Sequence, residues 1–197
     1  MSFRVEEKLN INKSNLGAFE KWITDKQAKK IYPDRIIKSI YFDNESLDMH
    51  YESEEGVVPR KKIRIRNYIS KDNDNKTFFL EKKINSPEGR FKTSKRIFNH
   101  DYFLRNGFFE PGYGACKPKI TIKYLRSYYK VFDVRVTIDQ NIQYFKYNSK
   151  IKKNDENIVV EIKSQNLDIV SHIEKKLPFN RIRFSKYSRG VLQTKII

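Results

Sequence analysis

Residues 60–69 read Arg60-Lys61-Lys62-Ile63-Arg64-Ile65-Arg66-Asn67-Tyr68-Ile69. Successive side chains of a strand leave on opposite faces. Ile63, Ile65 and Ile69 therefore share one face, and Lys62, Arg64, Arg66 and Tyr68 share the other. The same division recurs along the chain. Residues 3–11 set Phe3, Val5, Leu9 and Ile11 against Arg4, Glu6 and Lys8, and residues 76–84 set Phe78, Leu80 and Ile84 against Phe79, Glu81 and Lys83. Residues 158–163 set Ile158, Val160 and Ile162 against Val159, Glu161 and Lys163. Arg135 and Asp139 share a parity in 134–144, as Arg126 does with Tyr124 and Tyr128 in 120–131.

Working outward, residues 12–30 carry Leu16, Phe19, Trp22 and Ile23 at spacings of three and four, which predicts a helix capped by Asn12 or Ser14. Pro33-Asp34 predicts a turn, residues 36–42 a strand, and Asp43 to Glu54 the start and run of a short helix. Asn73-Asp74-Asn75 has hairpin chemistry. Ser86-Pro87-Glu88-Gly89 is a second turn, followed by a strand at 90–98 and a helix at 100–107 closed by Asn106-Gly107. Glu110 to Ala115 reads as a loop, Phe132-Asp133 as a tight connection, 150–157 as a polar loop, and 168–177 and the stretch after Ser185 as helices. About eight strands with short connections and no linker predict one α+β domain over 1–197. An antiparallel sheet of that number closes into a barrel or splits into a sandwich.

Composition narrows the partner. The chain has 197 residues, 41 Lys plus Arg against 24 Asp plus Glu, and a formal charge of +17. Such an excess favours anions. The spacings of zinc fingers and RNA-recognition motifs and a continuous basic helix are missing, so no sequence-specific nucleic-acid partner is expected. The single Cys116 excludes an internal disulfide framework. No apolar run approaches ~20 residues, and the first residues lack the apolar core of a signal peptide; a cytoplasmic location is expected. Exposed lysines leave peripheral association with an anionic membrane as an electrostatic option. His50, His100 and His172 are scattered and expected at the surface, and Cys116 has no nucleophile context. No phosphate-cradling Gly-rich loop is present.

Two readings of the charged faces remain open. In one, each strand has an ordinary wet face. In the other, the charged faces line an interior while the aliphatic faces pack against the helices. Like charges ~8 Å apart then repel by roughly 2 kcal/mol at an effective dielectric of ~20, so that interior requires water, counter-ions or a polyanion. Arg forks and Lys ammoniums suit phosphate oxygens. Glu6, Glu81, Asp139 and Glu161 are hard oxygen donors for a divalent cation.

The sequence resembles the triphosphate tunnel metalloenzymes, and within them the polyphosphate polymerase branch typified by the VTC (vacuolar transporter chaperone) catalytic domain. The resemblance rests on Glu6-x-Lys8, Ser39-Ile40-Tyr41-Phe42-Asp43-Asn44, Lys62 to Tyr68, Leu80-Glu81-Lys82-Lys83, Lys95-Arg96, Tyr124-Leu125-Arg126, Arg135 to Asp139, Val160-Glu161-Ile162-Lys163 and Phe184 to Gly190, in family order over nearly the whole chain. It implies a closed eight-stranded antiparallel β tunnel, or barrel, with flanking helices, and transfer of the γ-phosphoryl group of ATP to a growing polyphosphate chain, with Mn²⁺ or Mg²⁺ held by Glu161. By position, Lys8, Arg64, Arg66, Lys83, Arg126, Arg135, Glu161 and Lys186 would be the catalytic set. Lys62, Lys95, Lys163, Arg183 and Ser185 would join them in holding phosphates, and Tyr41 and Tyr68 would line or support the tunnel. A triphosphatase of the same fold and a non-catalytic binder of polyphosphate or nucleic acid are the alternatives.

Overall fold

The computed structural model describes residues 5–69, 77–165, 179 and 181–196. The strands are β1 (Val5–Ile11), β2 (Lys29–Asp43), β3 (Arg60–Ile69), β4 (Phe78–Ser86), β5 (Gly89–Ile97), β6 (Phe108–Glu110), β7 (Gly114–Val131), β8 (Val134–Lys146), β9 (Lys153–Asn154) and β10 (Ile158–Ser164). Helices α1 (Leu16–Asp25), α2 (Asp48–Glu55), α3 (His100–Asn106) and α4 (Lys186–Thr194) complete the described elements, with a 3-10 turn at Lys13–Asn15. The chain divides into two compact units. One comprises Met1–Ile36, Tyr124–Ile142 and Asn154–Phe184; the other comprises Ile37–Lys123, Gln143–Lys153 and Ser185–Ile197.

In the first unit, β1 pairs antiparallel with β10, and β10 with β8. Leu9, Ile11, Val134, Val136, Ile138, Ile158, Val160 and Ile162 form one apolar face, and Phe19 and Ile23 of α1 pack into the same cluster. The alternation of β1, β8 and β10 thus meets the apolar stripe of α1, as the second reading of the faces requires. Each of these aliphatic side chains contributes about 1.5–3 kcal/mol on full burial. Asn12 accepts from the Asn15 amide at 3.0 Å, ahead of α1. The helix stops at Asp25, short of the expected Lys30, because Gln27 turns left-handed at φ 49°. Its neighbours close the end with bonds from Gln27 N to Thr24 O and from Ala28 N to Ile23 O.

The turn expected at Pro33-Asp34 is instead interior to β2. Pro removes one donor but fits extended backbone. Around it, Tyr32 meets Tyr128 edge-on at 5.4 Å, and Arg35 lies over both rings at 4.8 and 5.8 Å. These contacts hold the segment straight.

In the second unit, β3 pairs with β4 and β4 with β5, all antiparallel. Pro87 and Glu88 form the two-residue turn between β4 and β5. The expected loop after Glu110 is shorter than anticipated, since β6 folds back on β7 through Phe108–Cys116 pairing. Likewise β9 lies in the expected polar loop at 150–157. Ser185 caps α4, accepting from Ser188 N at 3.3 Å. Gly190 lets that helix approach closely: a Cβ there would lie 2.5 Å from Ile120 Cδ1 and 3.0 Å from Tyr144 Cδ1. Asp43 at the end of β2 ties this unit together. Its carboxylate accepts from the amides of Asn44, Met49 and His50 at 2.9–3.1 Å and from the Tyr187 hydroxyl at 2.5 Å. Tyr187→Phe removes a charge-assisted bond from a buried carboxylate and is expected to cost about 1.5–3 kcal/mol, read as a lower urea midpoint. An unchanged midpoint would remove this bond from the stabilising set.

The hydrogen-bonded order is β1-β10-β8-β7-β2-β3-β4-β5, with β6 on β7 and β9 on β8. It is an antiparallel sheet whose main path has eight strands, and it is predominantly strand. The expected closed barrel is corrected: among the described residues the order is a path with β1 and β5 at its ends, not a ring. Both ends have a local reason. The outer edge of β1 is occupied by a bridge from Leu9 to Arg181 and by a bond from Ile182 N to Lys8 O. On β5, Arg90, Phe91, Lys92, Thr93, Ser94, Lys95 and Arg96 are all exposed, the cationic composition that keeps a strand edge from pairing. The expected hairpin at 73–75 and helix at 168–177 lie outside the described residues. Among the described residues, no helix is long and apolar enough to cross a membrane.

Candidate functional site

The face of the first unit opposite α1 is built from three neighbouring cross-strand rows. Glu6 lies across from Lys163, which lies across from Arg135. Lys8 lies across from Glu161, and Glu161 from Thr137. Asn10 lies across from Val159, and Val159 from Asp139. The middle of the face is buried: Asp139 is 0%, Thr137 1% and Glu161 5% exposed, while Glu6, Lys8, Asn10, Arg135 and Lys163 are half-buried. A solvated sheet face does not look like this, so the wet-face reading fails here.

Charge is matched side chain by side chain. Lys163 Nζ lies 3.2 Å from Glu6 and 3.0 Å from Glu161. Lys8 Nζ lies 3.6 Å from Glu6 and donates to the Phe184 carbonyl at 3.0 Å. Arg126, from β7, donates twice to Asp139 at 2.5 and 2.6 Å, and its Nη2 lies 3.4 Å from Glu161. The bidentate fork fixes the guanidinium plane. Burial alone would raise the pKa of Glu161, but Lys163, a hydrogen bond with Glu6, Arg126 and Lys8 together hold it well below the usual carboxylate range. Burial alone would lower that of Arg126, but Asp139 and Glu161 hold it above the usual value. Three buried polar atoms on this face have no hydrogen-bond partner among the described residues: Asn10 Oδ1, Arg135 Nε and Thr137 Oγ1. Arg135 and Lys163 also line an open pocket of about 250 Å³ with Asp133, Ser164 and Gln165.

The donor chemistry fits a divalent cation of the Mg²⁺ or Mn²⁺ kind. Such ions are commonly held by one or two carboxylates, with water and substrate phosphate completing the shell. Glu6 and Glu161 converge on one ammonium, that of Lys163, and supply two carboxylates. Among the described residues there is no preformed group of three or more metal-ligating side chains, so the fit is to a site that substrate completes.

The second unit holds a separate cationic cluster. Lys62, Lys83 and Lys92 form one cross-strand row, Arg64, Glu81 and Ser94 the next, and Arg66, Phe79 and Arg96 the third. In these three rows, six cations share a face with the single carboxylate Glu81. Glu81 is 1% exposed. It accepts from Arg64 Nε at 2.7 Å and Lys92 Nζ at 2.5 Å, with Arg66 Nη1 at 3.7 Å. Burial would raise its pKa; Arg64, Arg66 and Lys92 reverse that and hold it far below the usual range. From β2, Tyr41 accepts from Arg64 Nη1 at 2.7 Å and Ser39 accepts from Arg66 Nε at 3.1 Å. Burial would raise the pKa of Tyr41, yet Arg64, Arg66 and Lys186 bring it below the usual phenol value. Tyr41 stacks on Tyr187 at 5.1 Å. Ser185 accepts from Lys62 Nζ at 2.9 Å, and Lys186 opens α4.

Of the residues expected to hold phosphate, Lys8, Arg126, Arg135 and Lys163 share the first unit's face with Glu161. Lys62, Arg64, Arg66 and Lys83 share the second unit's face, with Ser185 bonded to Lys62 and Lys186 acting on Tyr41. Tyr68 lies beside Arg66, whose guanidinium carbon is 5.7 Å from its ring. Arg183 is exposed in the first unit. Lys95 is a correction. It lies across from Leu80, one residue out of phase with Glu81, and so leaves the hairpin on the other face. Lys92 takes the place expected of it. Counting outward from the Pro87-Glu88 turn sets Lys92 opposite Lys83, so turn length was the signal that could have found it. Asn10 and Thr137 carried no signal, since neither is charged. His50, expected at the surface, is 2% exposed, because α2 packs it edge-on to Tyr187 at 6.2 Å. His100 stacks on Phe78. His172 lies outside the described residues. Cys116 is buried and burial raises its pKa to about 11, as a structural thiol requires.

Comparison with known proteins accords with this geometry. No curated protein matches the chain. Among solved structures, a candidate adenylate cyclase from Bacillus halodurans is 14% identical with a TM-score of 0.63, covering 93% of this chain and 94% of its own. HpAC1 from Hippeastrum, a candidate adenylyl cyclase described as having a dominant triphosphatase activity, is also 14% identical with a TM-score of 0.63, over 98% and 97%. A conserved hypothetical protein from Pyrococcus furiosus is 19% identical with a TM-score of 0.53, over 88% and 85%. At these identities the likeness concerns the fold alone. The model of one family, the VTC domain, matches residues 3–113 and 110–195. With nearly its whole length so matched, the chain belongs to the VTC domain family.

Proposed function

We propose that the protein is a metal-dependent polyphosphate polymerase, working as one domain over 1–197, that transfers the γ-phosphoryl group of ATP to a terminal phosphate of a polyphosphate chain. The observation that carries this reading is the second unit's face, where three neighbouring rows set six cations against one carboxylate. Repulsion of that kind is relieved by a guest bearing several negative charges. Lys62, Arg64, Arg66, Lys83 and Lys92 hold phosphate oxygens there, and Ser185 and Lys186 contribute from the start of α4. In the first unit, Lys8, Arg126, Arg135 and Lys163 do the same beside Glu161, with Arg183 a further cation. Glu161 and Glu6 hold Mn²⁺ or Mg²⁺, which when bound neutralises charge on the transferring group.

The reaction needs no protein nucleophile. An oxygen of the chain end forms a bond to the γ-phosphorus, the bond from that phosphorus to the β,γ-bridging oxygen breaks, and ADP leaves with the electron pair. The side chains named here position the two phosphates and offset charge. With water as the nucleophile, the same site is a triphosphatase; the triphosphatase activity described for HpAC1, whose fold is similar, favours keeping that second reading. Incubation with ATP and Mn²⁺ or Mg²⁺ followed by gel analysis separates them. The polymerase yields a ladder of long anionic polymer. Orthophosphate alone selects the triphosphatase, and no turnover of ATP or tripolyphosphate overturns both.

A further inference from the structure

Thr137 is the puzzle of the first unit. Its hydroxyl is buried in a residue 1% exposed and has no hydrogen-bond partner among the described residues. It lies directly across from Glu161 in the strand register. A buried hydroxyl without a partner destabilises a fold, and valine would fill the same volume without that cost. Asn10 repeats the pattern one row away: its Oδ1 is buried without a partner, two residues along β1 from Lys8 and on the same face. Two oxygens that lack donors therefore flank the carboxylate that best suits a cation. Neither carries charge, so they match the water shell of an ion better than the ion itself. Arg135 Nε is the reverse case, a buried donor without an acceptor in the adjacent row.

We propose that Thr137 Oγ1 and Asn10 Oδ1 hold the water ligands of a divalent cation bound at Glu161. The idea rests on the proposed function, because it presumes that Glu161 binds metal. A cation such as Mg²⁺ keeps several of its waters when bound to protein, and outer-shell partners of this kind typically tune affinity by 10–100-fold. Thr137 and Asn10 act on the metal's hydration and touch no reacting atom, so they are positioning residues.

The test is binding of Mn²⁺ to the full chain, read by the Mn²⁺ paramagnetic resonance signal and by thermal unfolding, with and without tripolyphosphate. Thr137→Val is expected to unfold without metal at or above the parent temperature, since it removes an unpartnered hydroxyl, yet to bind Mn²⁺ about 10-fold more weakly. Thr137→Ser keeps the hydroxyl and is expected to bind as the parent does. Asn10→Leu is expected to weaken Mn²⁺ in the same direction. Parent-like Mn²⁺ affinity in Thr137→Val overturns this inference and leaves the proposed function standing. Failure of the parent protein itself to bind Mn²⁺ overturns the metal assignment at Glu161 and this inference with it. An equal loss in Thr137→Ser and Thr137→Val would also overturn it, because packing and not the hydroxyl would then be responsible.

Discussion

Glu161→Gln abolishes turnover of ATP while tripolyphosphate still raises the unfolding temperature of the variant. Gln matches Glu in shape but keeps a single acceptor oxygen, so only one of Lys163 and Arg126 keeps its contact at residue 161, while Lys163 retains Glu6 and Arg126 retains Asp139. What is lost is the charge that a divalent cation requires. Charge stabilisation by a metal is worth several kcal/mol in a phosphoryl-transfer transition state, which corresponds to about 10³-fold or more in rate. Binding of phosphate survives because Lys8, Arg126, Arg135 and Lys163 are untouched, and each now has less carboxylate competing for it. Product formation at the parent rate would remove Glu161 from the reaction. Loss of both turnover and tripolyphosphate protection would mean that Glu161 organises the cations and not the metal.

Glu81→Gln is expected to destabilise the fold by about 3–5 kcal/mol, the range for breaking a buried ion pair from one side. For a domain of this length that lowers the midpoint by roughly 10 °C. Arg64 and Arg66 are nearly buried and cannot turn into water, so removing the one carboxylate between them leaves like charges in close rows. The same pair sets an acid limb. The folded-state pKa of Glu81 lies far below its ordinary value, so the unfolded chain binds the proton first. Its contribution to stability is complete above about pH 5 and disappears as the pH falls through the ordinary glutamate value of about 4.3 and on toward the folded one. Glu161 has the same sign. Unfolding midpoints measured from pH 7 down to pH 3 should fall less steeply for Glu81→Gln than for the parent. Parallel profiles would show that other carboxylates govern the acid limb. Tripolyphosphate should restore more stability to the variant than to the parent, since the guest then supplies the missing negative charge.

Much of this was readable in the residues because strand parity is a rigid rule. Ile158, Val160 and Ile162 could only lie together, and Glu161 and Lys163 could only lie on the reverse side. Arg60 to Ile69 was bounded correctly by its alternation alone, and Gly107 announced a helix end by its cap chemistry. What escaped notice depended on partners distant in the chain. Pro33 sits in a strand because Tyr128, nearly a hundred residues away, packs on Tyr32. His50 is interior because α2 lies against Tyr187. Lys92 and Lys95 differ by three positions and so face opposite ways; which of the two joins the face of Glu81, only the length of the turn at Pro87 decides. Thr137 was invisible since nothing in its type marks a hydroxyl without a partner.

The bare outer margin of β5 has a consequence for handling the protein. Two molecules meeting along that margin bring Arg90, Lys92, Lys95 and Arg96 of each into opposition, so dilute buffer keeps the solution colloidally stable. The protection reaches only about 10 Å at 0.1 M salt and about 3 Å at 1 M. Concentrated brine, rather than low ionic strength, is therefore the condition under which aggregation should begin.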